Sequence, residues 1–254
     1  MILPNSIILY GKSEENNLQV AHEISVRYLY ENQSQFKMMS DIERYVSSNS
    51  YPNFMNISVL EGEKEISIEQ IRSMIEFLSL HPSLEGKRIV IINNADLLNR
   101  FASNAILKIL EEPPLDSSII LLTTRLFSII PTIRSRCHKI YIPNTNRISP
   151  LYSDNIKEYI IKYTMYNEDF IQNILYFIEN PSKNVADFCK NIIKDKIDDF
   201  MKIVSLYTYF KSIKEISSNY SKKYLELQDF IISSKNAYLD PQSIVMMCCS
   251  IVLS

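Results

Sequence analysis

The sequence predicts an α/β fold: a parallel sheet covered by helices, followed by helical material alone. Short apolar runs at 6–10, 88–92 and 119–123 do not alternate polar with apolar residues, so both faces of those strands are to be buried. Segments with apolar residues three and four positions apart lie between these runs and read as covering helices. Beyond Pro150 the strand-like runs stop, and only helical spacing continues.

Residues 6–10 close on Gly11, and Leu18, Ala21, Ile24, Ser25 and Tyr28 follow at helical spacing, giving strand, turn and helix. The polar stretch 38–50 has room for a short helix, and 54–57 read as a second strand. Ser67 and Gln70 form a capping box ahead of Ile68, Ile71, Ile75 and Leu78, an amphipathic helix. Strand 88–92 leads into Asn93-Asn94. The next helix packs by Ala102, Ala105, Ile106, Ile109 and Leu110 and is expected to end at Glu112, stopped by Pro113-Pro114. Strand 119–123 follows, then a short link over 129–133 and a last strand near 139–142. Residues 143–150 break the rhythm, so domains are expected at 1–146, 147–196 and 197–254. Helical faces continue at Ile156, Tyr159, Ile160 and Tyr163, and at Phe170, Ile174, Phe177 and Ile178. Further helices are expected from Pro181 through Ile192, from Asp195 through Phe210, over 219–233, and from Pro241 onward.

A chain of 254 residues with 46% hydrophobic and 22% charged residues has the composition of a soluble globular protein. A net charge of −2 argues against a whole-surface nucleic-acid binder but leaves room for a local basic patch. Cys137, Cys189, Cys248 and Cys249 have no C-x-x-C spacing and no nearby histidine. Neither a zinc site nor a disulfide framework is predicted, and the cytoplasm is the expected compartment. The first five residues carry no basic region of a signal peptide, and the apolar run 243–253 falls short of the roughly 20 residues a membrane span needs.

Two features carry chemistry. Glu111-Glu112-Pro113-Pro114 puts two carboxylates at a helix C-terminus, where they oppose the helix dipole. Such a locally costly feature points to function, although an ordinary amphipathic helix with a solvated acidic end fits the same residues. The second feature is a phosphate loop in outline only. G-x-x-x-x-G-K-[ST] surrounds phosphates with backbone N–H groups and a lysine. Gly11-Lys12-Ser13 follows its strand at once, and the upstream glycine would fall at Ser6, inside the strand. With Gly11 as the first glycine, Asn16, Asn17 and Leu18 stand where the second glycine, lysine and hydroxyl belong, and Glu14 and Glu15 add negative charge.

These segments, with Ser135-Arg136-Cys137, resemble the clamp-loader branch of the AAA+ family. The resemblance is carried by Gly86-Lys87-Arg88-Ile89-Val90, residues 104–114, Thr123-Thr124-Arg125 and Ile133-Arg134-Ser135-Arg136-Cys137. It implies an AAA+ P-loop-type domain over 1–146, a helical lid over 147–196 and a helical collar over 197–254. It also implies that Arg136, with Ser135 and Cys137 as supporting motif residues, reaches into a neighbouring subunit's ATP site. Active members carry Asp-Glu where this chain has Asn93-Asn94, and an amide neither holds Mg²⁺ as a carboxylate does nor acts as a base. They also use an arginine in the second domain, whereas Arg147 is the last arginine here. Thr123-Thr124 falls in the family's sensor region. The family's four-cysteine zinc module, expected between 32 and 51, finds no cysteine, and the collar is short.

The reading is therefore a non-hydrolysing subunit with no nucleotide or metal of its own. Its implied partners are the tau/gamma and delta clamp-loader subunits and, through the assembled complex, the sliding clamp and primed DNA. Lys87, Arg88 and Arg100 are candidates for phosphate contact, beside the plainer reading as solvated charges. An active tau/gamma-type ATPase and an AAA+ scaffold without a catalytic contribution are the alternatives. Arg134 and Arg136 as a surface salt-bridge pair is the bland account of that segment.

Overall fold

The structure is a computed structural model that describes residues 3–79, 86–143, 155–164, 166–180, 185–190, 196–234 and 239–253. It divides into two compact units, residues 1–146 and 147–254. The expected boundary at 143–150, Arg147, Pro181, Ile192 and Asp195 lie wholly or largely outside the described residues.

The first unit is a five-stranded sheet in the order β2-β3-β4-β1-β5, with β1 at Ser6–Gly11, β2 at Phe54–Ile57, β3 at Arg88–Ile92, β4 at Ser117–Thr123 and β5 at His138–Ile142. Each neighbouring pair is parallel, with Ile8 opposite Leu121 and Val90 opposite Ile119. This is the P-loop-type sheet that the AAA+ resemblance implies. β4, the central strand, is buried along its whole length, which is why its run does not alternate. The edge strand β5 begins one residue before its predicted start, with His138 exposed.

Helix α1 (Glu14–Glu31) packs on β1, β3 and β4, and α2 (Met39–Ser47), the short helix for which the polar stretch had room, packs on α1. α3 (Ile68–Ser79) and α4 (Arg100–Glu111) pack together, and Ile71, Met74, Ile106 and Leu110 from them meet Val90 and Leu121 in one core. The capping box is present: Ser67 N–H donates to Gln70 Oε1 at 3.1 Å, and Gln70 N–H donates to Ser67 Oγ at 3.4 Å. α4 is capped by Asn99, whose Oδ1 accepts from Ala102 N–H at 2.8 Å. The 129–133 link contains one helical turn, α5 (Pro131–Arg134), started by proline in its first turn.

In the second unit the described residues hold helices α6 (Ile156–Thr164), α7 (Glu168–Glu179), α8 (Val185–Phe188), α9 (Ile197–Lys214), α10 (Ser218–Ser234) and α11 (Pro241–Leu253). α9 is buried on most sides, from Phe200 to Ile213, because α6, α7, α10 and α11 all pack on it. Phe188 stacks on Phe177 with ring centroids 3.8 Å apart and meets Phe200 edge-on, which fixes α8 against its neighbours. No described helix is long and apolar enough to cross a membrane.

Candidate functional site

In a parallel sheet the carboxyl ends of all strands lie on one edge, and ligands bind in the crevice where the strand order reverses. Here that place is the end of β1, flanked by β4 and β5. β1 ends at Gly11 and α1 begins at Glu14, so Lys12 and Ser13 alone connect them. A phosphate loop needs a longer excursion between strand and helix. The residues the motif would place in that excursion, Asn16 and Asn17 among them, are already helical, as is Leu18, half-buried on α1.

Two amides fill the space. Asn17, 1% exposed, donates from Nδ2 to the Gly11 carbonyl at 3.3 Å and to the Thr123 carbonyl at 3.1 Å, joining the ends of β1 and β4. Asn16 Nδ2 donates to the Pro143 carbonyl at 2.8 Å, beyond β5. At the helix N-terminus that would receive a phosphate, Ser13 Oγ already caps one N–H, that of Asn16 at 3.2 Å, and Glu14 and Glu15 occupy the first turn. A second anion there would meet two carboxylates.

The segment after β3 has taken on turn chemistry. Asn93 N–H donates to the Ile57 carbonyl at 2.8 Å. Asn94 is left-handed, with φ 53° and ψ 52°, and opens a 3₁₀ turn at Ala95–Leu97. Asparagine tolerates that conformation better than the glutamate of an active member. Asp96, in the turn, is already committed, and its side chain is 4% exposed. It accepts from Thr123 Oγ1 at 2.7 Å and from Arg125 Nε at 2.9 Å and Nη2 at 2.5 Å, while Thr123 Oγ1 accepts from Arg125 N–H at 2.9 Å. Thr123 thus belongs to a closed polar cluster, one the sequence reading missed.

Arg136 lies after α5, at the start of β5, with its side chain 33% exposed. Its Nε donates to Glu111 Oε1 at 2.8 Å, Nη2 donates to the same oxygen, and Nη1 donates to the Thr132 carbonyl at 2.8 Å. Glu111 is itself half-exposed, so the pair lies at the surface. The acidic end of α4 and the Ser135-Arg136-Cys137 segment therefore form one constellation. Glu111 is engaged there; Glu112 is the exposed C-cap of α4. Ser135 Oγ donates to the Thr132 carbonyl at 3.0 Å. Cys137 is buried in the core beneath, and burial pushes its thiol pKa up to about 12, so it is a packed residue and not a nucleophile. Arg134 places its guanidinium 5.0 Å from the ring centre of Phe127, so of the two arginines it is Arg136 that makes the surface salt bridge of the bland account, with Glu111.

Of the cations offered for phosphate contact, Arg88 is corrected. It is 7% exposed, and its Nη1 donates to the Phe77 carbonyl at 2.7 Å, because β3 begins beneath α3. Lys87 lies 4.0 Å from Asp116 and over the Tyr28 ring, and Arg100 is exposed. The stretch between α1 and β2 is held by Phe36, whose ring meets those of Tyr45 and Tyr51 at centroid distances of 5.7 Å.

Residues 2–146 match the family model described as DNA polymerase III, delta subunit. Over 92 residues the chain is 33% identical to DNA polymerase III subunit delta′ of Pseudomonas aeruginosa, covering 36% of this chain and 28% of that one. Over 97 residues it is 31% identical to subunit delta′ of Escherichia coli K12, covering 38% and 29%. Over 139 residues it is 28% identical to subunit gamma of Buchnera aphidicola from Schizaphis graminum, covering 55% and 35%. These matches span well under two thirds of the relatives' own lengths. With the match covering more than half of its residues and the parallel sheet that underlies it, the chain belongs to the DNA polymerase III delta subunit family, in its delta prime-like branch.

Proposed function

We propose that this chain is a non-hydrolysing, delta prime-like subunit of the DNA polymerase III clamp loader. It lends Arg136 in trans to the ATP held by a neighbouring tau/gamma subunit and so helps place the sliding clamp on primed DNA. The observation that carries this reading is an asymmetry within one domain. Asn16 and Asn17 bridge the strand ends where a phosphate would lie, while Arg136 stays at the surface with one N–H on each terminal nitrogen unpartnered among the described residues. A planar, permanently charged guanidinium suits the charge that develops on a transferring phosphoryl group. Residues 147–196 serve as lid and 197–254 as a short collar in this proposal, tau/gamma and delta are the partners, and the cytoplasm is the compartment.

The Buchnera gamma subunit among the relatives favours one second reading, an active ATPase. The two-residue link of Lys12 and Ser13 and the turn at Asn94 speak against it. The test is copurification with tau/gamma and delta, followed by nucleotide analysis of the isolated chain. The proposal expects a stable complex and no retained nucleotide. An isolated chain that turns over ATP would establish the second reading instead.

A further inference from the structure

Resting on the reading of Arg136 above, we infer that Glu111 is a positioning residue: it holds the Arg136 guanidinium in reach of the neighbouring subunit's ATP before that subunit docks. The geometry is specific. A guanidinium has five N–H donors in a fixed plane. Three are used here, Nε and Nη2 on Glu111 Oε1 and Nη1 on the Thr132 carbonyl. The two that remain, one on each terminal nitrogen, have no partner among the described residues and are free to meet an incoming anion.

Both anchors sit on packed elements. Glu111 is the last residue of α4, whose core face is fixed by Ile106, Ile109 and Leu110 and whose end is followed by Pro113. Thr132 lies within α5, begun by Pro131 and pinned by buried Ile133. An exposed pair of this kind contributes little to stability. A negative charge at the C-terminus of α4 is also opposed by the helix dipole. The placement makes sense if the pair's value lies in holding a long, rotamer-rich side chain in one orientation. That fixes in advance the freedom Arg136 would otherwise lose on meeting ATP.

The experiment measures DNA-stimulated ATP turnover in the full clamp-loader complex, assembled with wild-type chain, Glu111→Gln, Glu111→Ala, Arg136→Ala, and Glu111→Gln combined with Arg136→Ala. Assembly of each complex is checked by gel filtration. Both Glu111 variants are expected to assemble normally and to lower kcat at the adjoining site by about ten- to hundredfold, the scale of a small misplacement, with KM for ATP unchanged. In the Arg136→Ala background the Glu111 change is expected to add nothing, because its effect runs through that arginine. If Arg136→Ala abolishes turnover while the Glu111 variants keep or raise it, or alter KM alone, the positioning role is overturned and the arginine's role stands. If Arg136→Ala leaves turnover intact, the reading of Arg136 falls, and the role of Glu111 with it.

Discussion

Gly11 is the tightest point of the β1–α1 junction. A Cβ there would lie 2.2 Å from the Ile142 carbonyl oxygen and 2.6 Å from Asn17 Oδ1. The first of these is sheet backbone and cannot rotate away, so Gly11→Ala is expected to lower stability by about 1–3 kcal/mol, read from the urea midpoint. The glycine that looked like the first of a phosphate loop is required by the close approach of β5 and Asn17. The cysteines give a second test at this scale. All four are buried, and desolvation pushes the thiols of Cys137 and Cys248 up to about 12 and that of Cys249 to about 11. Native protein at pH 8 is expected to resist a thiol-specific alkylating reagent, with all four cysteines labelling after denaturation. His22 sets a pH dependence. Burial lowers its pKa below the ordinary 6.5, and its Nε2 meets no hydrogen-bond partner among the described residues. The unfolded chain therefore takes up a proton at higher pH than the folded one. The contribution is present in full above pH 6.5 and is lost as pH falls from there through the folded pKa. Urea midpoints at pH 7.5 and 5.5 should fall further apart in the wild type than in His22→Gln.

Elements with local grammar were legible in the sequence, and clusters built from distant residues were not. Ser67 and Gln70 announce α3 because their two hydrogen bonds span a single turn. β4 is legible because a strand buried on both faces needs an unbroken apolar run. The shortness of the β1–α1 link was legible from spacing alone. That Asn16 and Asn17 then fill the crevice was not, since their partners Pro143 and Thr123 lie over a hundred positions away. Asp96 with Thr123 and Arg125, and Glu111 with Arg136, lie 25 to 29 positions apart and likewise meet only through the tertiary fold. Arg88 was misread as an accessible cation because a charge at a strand's first position gives no sign of whether a helix covers it. Two element-level outcomes are expected. Asn99→Ala should cost about 1 kcal/mol by removing the cap of α4, measurable in chemical denaturation. Asn93→Asp combined with Asn94→Glu should not create ATP hydrolysis in the isolated chain, because the carboxylates would stand beside a β1–α1 link too short to hold phosphates.

At the scale of the molecule, the central strands of the first unit and their flanking helices form an intact core. The carboxyl edge of the sheet carries the Asn17 amide and the Asp96 cluster, while the ion pair of Arg136 with Glu111 lies at the surface beside the end of α4. The second unit is a helical body built around α9. The most direct measurement is single-turnover ATP hydrolysis at the site adjoining this chain, in clamp-loader complexes carrying either wild-type chain or Arg136→Ala. The account predicts that both complexes assemble and bind ATP alike, while hydrolysis at that site slows by roughly 10³-fold or more with Arg136→Ala. Equal hydrolysis in the two complexes would contradict it.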